Sequence, residues 1–341
     1  MSQGDLGLDE DDFWSNPLKT KRAKTTALMM DDFFGLVLDG PTLVPLDQRD
    51  TIPLVALRVC TMVDAARLQF RDFVNVTVVD LHENAFSAAP AIVDRPNMQR
   101  PPIDPAEPIP EGAMGEAFVL QLQERVAVKM TAGRDLLVTL VLRDAVSNRI
   151  RIQLGASDLG FRDPEVERFL EEQRALVPPP PLHPAPGNRL PKYEKIAGSP
   201  KVPEEPGIAL AIDRVIVADP TKELVLRGSF RLPRGDARLV RPEHAAQFSA
   251  PAPTAVVRIA VMLTGSEVAA PIVLPLVVPS YDPPASIEAS GVITGHFAFD
   301  LMQFGNLKRH PQTFFIYAFS GETMAGPAVL GLVPEGRLPR P

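Results

Sequence analysis

Apolar residues recur at every second position in two long stretches of the chain, and both stretches carry their strand-like runs in the same order. In the first, Phe118, Leu120 and Leu122 alternate with other residues, and Leu136, Val138, Leu140 and Leu142 do so after a loop. In the second, Phe297, Phe299 and Leu301 are followed by Phe315, Tyr317 and Phe319. Period-two alternation puts every second side chain on one face of a pleated strand, so the apolar set faces a core and the rest face solvent or a second layer. The β-branched and aromatic content of these runs fits that assignment.

Two further blocks match in the same order. Leu36-Val37-Leu38-Asp39 resembles Leu210-Ala211-Ile212-Asp213, each leading into two more short apolar runs. Those runs are Thr42 to Val44 and Leu54 to Val59 in the first copy, and Val215 to Val217 and Leu224 to Phe230 in the second. Ala88-Ala89-Pro90 resembles Ala269-Ala270-Pro271, each preceded by a β-rich stretch, Val74 to Leu81 or Val256 to Leu263. A repeat of this length suits two complete domains better than propeller blades, because each copy is long enough to close its own core.

The pattern therefore predicts an all-β protein: two tandem immunoglobulin-like β-sandwich domains, at 33–155 and 207–335, with a short helix and a proline-rich linker over 156–206. Asp163-Pro164 opens the expected helix, since aspartate caps and proline is preorganised for the first helical position. Val166, Phe169, Leu170 and Val177 fall near one face of it. Ten prolines between Pro178 and Pro206 then predict a semi-extended spacer. Prolines 41, 45, 53, 275 and 279 should mark strand ends or edge strands, because proline cannot donate to a ladder.

Residues 1–30 read as a disordered arm. Phe13, Trp14 and Leu18 stand there among acids, and Trp14 is the only tryptophan of the 341 residues. An aromatic pair in a polar arm is the composition of a segment that orders on binding, against a partner or against its own first domain. Together with Phe169, these three are the candidate partner-binding residues.

Charge and cysteine content narrow the function classes. A formal net charge of −7 argues against nucleic-acid binding, which needs a basic stripe to displace counterions. The one basic cluster, Lys19, Lys21, Arg22 and Lys24, sits in the arm and offers at most contact with an anionic surface. One cysteine, Cys60, leaves no intrachain disulfide, and no apolar run is long enough for a transmembrane helix. The acidic start has no signal-peptide pattern, so the expected address is cytoplasmic, with specialised secretion as the other route.

A search for chemistry finds little. None of the histidines 82, 183, 244, 296 and 310 pairs at metal-ligand spacing, and no metal or cofactor is expected. There is no nucleophile elbow and no phosphate-binding glycine loop; Gly265-Ser266-Glu267 reads as a turn. Asp31-Asp32 and Glu204-Glu205 lie in an arm and a linker, where nothing separates their proton affinities. The expectation is a non-enzymatic interaction or structural protein, a scaffold or assembly subunit that holds other proteins through sheet edges and the aromatic arm. The alternative is an enzyme or small-ligand binder with a site in the inter-domain cleft, drawing on His244 or His310. A peripheral membrane role through the basic arm is a third reading.

Overall fold

The structure, a computed structural model, describes residues 35–45, 52–61, 74–82, 85–91, 113–122, 133–155, 192–218, 223–233, 237–238, 255–265, 271–280, 291–301 and 311–334. Strands dominate these residues, as an all-β fold requires. The arm, the helix expected at Asp163 and the Pro178 to Pro181 run lie outside the described residues. The chain divides into two compact units, Met1–Asp158 and Leu159–Pro341.

The first unit contains β1 (Gly35–Asp39), β2 (Leu43–Val44), β3 (Pro53–Thr61), β4 (Val74–Asp80), β5 (Ala85–Ala91), β6 (Ala113–Gln121), β7 (Asp135–Leu142), β8 (Ala145–Val146) and β9 (Ile150–Leu154). They form a three-stranded sheet, β1-β3-β6, and a larger one, β2-β9-β7-β4-β5, with β8 paired to β7. The second unit contains β10 (Gly207–Ala211), β11 (Val215–Val217), β12 (Val225–Pro233), β13 (Ala237–Arg238), β14 (Ala255–Gly265), β15 (Ile272–Ser280), β16 (Val292–Asp300), β17 (Gln312–Ser320) and β18 (Thr323–Val333). Its sheets run β10-β12-β16 and β11-β18-β17-β14-β13, with β15 also on β14.

Apart from β13, which has no counterpart among the described residues of the first unit, and β18, which stands for β8 and β9 together, the two units have the same plan, and residue pairing makes the duplication specific. Leu38 opposite Ala56 corresponds to Leu210 opposite Gly228, and Leu54 opposite Leu120 to Leu226 opposite Phe299. Leu136 opposite Ile152 corresponds to Phe314 opposite Leu330. Even the bonds that close the strand ends agree: Leu122 N–H donates to Ile52 O at 3.0 Å and Leu301 N–H to Leu224 O at 2.9 Å. Among the described residues of both units, the only parallel pair joins an early strand to the last one, β2 to β9 and β11 to β18.

This register corrects three of the sequence matches. Leu36 corresponds to Ile208, two positions earlier than the match to Leu210. Pro90, opposite Asn75, corresponds to Pro275, opposite Ala260, and not to Pro271. In β17 the core-facing residues are Phe314, Ile316 and Ala318, whereas Phe315, Tyr317 and Phe319 take the positions of Leu137, Thr139 and Val141. The physical reason is that the central strands of the larger sheet are buried on both faces, so alternation of large apolar residues no longer marks the core side there. Every residue of β4 is buried, and in the second unit Met262, Tyr317 and Phe319 are buried on the face turned away from the sandwich core. The prolines behave as expected: Pro53 begins β3, and Pro90, Pro275 and Pro279 lie on β5 and β15, which among the described residues pair on one side only.

Each core draws on both sheets of its unit. In the first, Leu36, Leu54 and Leu120 meet Val76, Val138, Leu140 and Ile152. In the second, Phe230, Phe297 and Leu226 meet Ile259, Val261, Phe314 and Leu330. Two cross-strand exchanges shape this second core: Phe297 lies opposite Gly228, and Phe230 opposite Gly295. Each ring covers the glycine facing it, with no room for a side chain there. In the first unit Asn148 joins the two sheets. Its amide donates to Leu38 O and its oxygen accepts from Leu38 N–H, both at 2.9 Å, satisfying the outward backbone of edge strand β1. At the turn after β4, buried Asp80 accepts from His82 N–H and pairs with Arg134 at 2.8 Å.

Candidate functional site: the strand-accepting sheet edge

An antiparallel strand alternates residues whose backbone groups point to one neighbour with residues whose groups point to the other. In β16, Leu301 bonds inward to Leu224, so Ala298 and its alternates point outward, away from β12. Ala298 does not leave those groups open. Its N–H donates to Lys192 O and its carbonyl accepts from Lys192 N–H, both at 2.8 Å, an antiparallel bridge built by a segment of the same chain.

The segment that makes this bridge is held along its length. Tyr193, next to Lys192, is 7 % exposed and belongs to the second unit's core. Ile196 O accepts from Ser199 N–H and Ser199 Oγ from Ile196 N–H, closing a turn in which Gly198 has φ +77°. That backbone suits glycine at the third position of a type II turn. A Cβ at Gly198 would sit 3.4 Å from Arg227 Nε, so the absent side chain also admits the guanidinium. Arg227 meets exposed Asp213 at 3.8 Å, a long ion pair. Beyond the turn, Ser229 Oγ donates to Lys201 O at 2.8 Å. His296, on the same face, is held below its ordinary pKa by burial first and by the Lys195 charge second. A hydrogen bond to the Pro200 backbone offsets part of that.

The corresponding edge in the first unit is β6. Leu122 bonds inward to Ile52 as Leu301 does to Leu224, so Val119 occupies the place of Ala298 and turns its N–H and C=O away from β3. Among the described residues no strand pairs with that side of β6.

The candidate residues named from the sequence, Phe13, Trp14, Leu18 and Phe169, and the cluster Lys19, Lys21, Arg22 and Lys24, lie outside the described residues. So do His183, His244 and His310. Lys192, Tyr193 and Ala298 were not singled out, although one signal was present: Tyr193 is the only aromatic ring of Phe, Tyr or Trp type between Pro178 and Pro206. An aromatic residue in a polar, proline-rich connector has a reason to dock. Among the described residues no group of three or more His, Cys, Asp or Glu is placed to hold a metal, and no helix is long and apolar enough to cross a membrane. No protein-family model matches the chain, and no curated protein matches it.

Proposed function

We propose that this is a non-enzymatic scaffold or assembly subunit of two immunoglobulin-like sandwiches, working in the cytoplasm and binding other proteins by strand addition. The immunoglobulin-like assignment is supported by the strand plan. One sheet holds β1, β3 and β6 in the first unit and β10, β12 and β16 in the second, and the other sheet begins with a short strand that runs parallel to the last. The binding reading is carried by one observation: the edge of β16 accepts an extended segment through both backbone bonds of Ala298 while an adjacent ring enters the core. Strand addition draws its affinity from such main-chain bonds and its selectivity from flanking side chains.

The test is capture of partners by the tagged full-length chain and by the same chain carrying Val119→Pro. That substitution removes an outward N–H without removing a bond to β3. Partners retained by the unsubstituted chain and lost by the variant, with unchanged circular dichroism, are the expected result. Identical partner sets would remove the β6 edge from the binding mechanism.

A further inference from the structure

We infer that the β6 edge at Val119 is paired, within the same molecule, by the N-terminal arm, with the Phe13–Trp14 pair acting as Lys192–Tyr193 acts on β16. The inference rests on the strand-accepting reading of these edges and names the occupant of one of them.

The units are duplicated down to individual hydrogen-bond partners, and Val119 matches Ala298 in register and in the direction of its backbone groups. In the second unit the occupant is the stretch of chain immediately before the first strand, β10. The stretch in the equivalent position of the first unit is the one before β1, residues 1–34. The Ala298 bridge has two parts, a residue in extended conformation and a neighbouring aromatic side chain buried in the core. Phe13-Trp14 is the aromatic pair of the arm, and only Phe33-Phe34, directly against β1, also brings rings there. Phe33-Phe34 is too close to β1 to cross β3 and reach β6. The run from Trp14 to Gly35 is longer than that from Tyr193 to Gly207, so it spans the same distance with slack.

Trp14 is the only tryptophan, so tryptophan emission reports the arm alone. In the full-length chain the emission should be that of a shielded indole. It should shift to the solvated wavelength in Val119→Pro and stay unchanged in Ala298→Pro, with circular dichroism verifying the fold. Solvated emission in the unsubstituted chain, or no response to Val119→Pro, overturns the inference. If Val119→Pro does not fold, amide exchange of the unsubstituted chain decides. The Val119 amide should exchange as slowly as that of Ala298 and at least about tenfold faster in Phe13→Pro. Exchange of Val119 at the solvent rate overturns the pairing. Emission that depends on concentration, with a dimer by light scattering, overturns the same-molecule assignment in favour of a second copy. Neither readout involves a partner protein, so partner capture can fail while the arm still docks, and the converse.

Discussion

Replacing Gly228 by alanine places a Cβ 2.0 Å from Cζ of Phe297 and 2.4 and 2.5 Å from its two Cε atoms. Carbon atoms rest about 3.5–4.0 Å apart, so the ring must retreat by roughly 1.5 Å. Phe297 has no exposed surface, and its ring stacks on Phe299 with centroids 6.3 Å apart, so retreat pushes a second buried ring. Overpacking of this kind costs about 1–3 kcal/mol, and the rigid neighbour places this site at the upper end. Alanine returns about 0.5–1 kcal/mol, because glycine loses more backbone freedom within a strand. A net loss of about 2 kcal/mol follows. All three tyrosines, 193, 281 and 317, belong to the second unit, so tyrosine emission during urea unfolding of the full-length chain follows that unit's transition. Gly207→Ala is the control: its Cβ would meet nothing nearer than 3.6 Å, and the expected change is zero to a small gain. Adding Phe297→Leu to Gly228→Ala should recover part of the loss, a positive coupling in a double-mutant cycle. A Gly228→Ala chain as stable as the original, or a Gly207→Ala chain equally weakened, would refute steric packing as the reason for the glycine.

Three other outcomes follow from the first unit and from His296. Asp80→Asn removes the carboxylate charge that Arg134, at 15 % exposure, pairs with, and should cost about 2–3 kcal/mol by urea unfolding. Arg151→Gln removes a pair whose arginine is 53 % exposed and should cost less than about 1 kcal/mol; equal losses would contradict the role given to burial. Asn148→Ala strips both bonds from Leu38 and should cost about 1–2 kcal/mol, with faster amide exchange at Leu38; an unchanged exchange rate would mean the amide does not close that edge. The depressed pKa of His296 means that the unfolded chain takes up this proton more readily than the folded one. Its contribution to stability is therefore present above about pH 6.5 and lost as pH falls through the folded value. His296→Gln should flatten the fall in urea midpoint from pH 7 to pH 5, and an identical profile would remove the imidazole as its cause.

Strand positions and the duplication were legible because period-two runs bounded by proline and glycine are a property of the chain itself. Phe118, Leu120 and Leu122 match Phe297, Phe299 and Leu301 in the folded register as they do in the sequence. Register elsewhere was not legible. Pro90 finds its counterpart in Pro275 through pairing with β4 and β14, and the similarity of Ala88-Ala89-Pro90 to Ala269-Ala270-Pro271 carries no such information. The facing of β17 was misread because Phe315, Tyr317 and Phe319 are larger than the core residues Ile316 and Ala318 beside them. Strands as short as β2 and β11 have no periodicity to detect; they exist because β9 and β18 offer a parallel edge. The docking of Lys192 depends on a carbonyl and an amide of Ala298, and backbone groups leave no mark in a sequence.

The parallel pairing of an early strand with the last one decides how each unit bears a mechanical load. Tension applied to the two ends of the first unit pulls β2 and β9 in opposite directions along their length. Gln153 N–H to Thr42 O and Gly155 N–H to Val44 O are then strained together rather than opened in turn. Gly331 to Arg214 and Ala218 to Val333 form the same clasp in the second. Such a shear lock yields at a higher force than strands unzipped from one end, so a chain stretched between two attachments would hold its length until these few bonds fail at once.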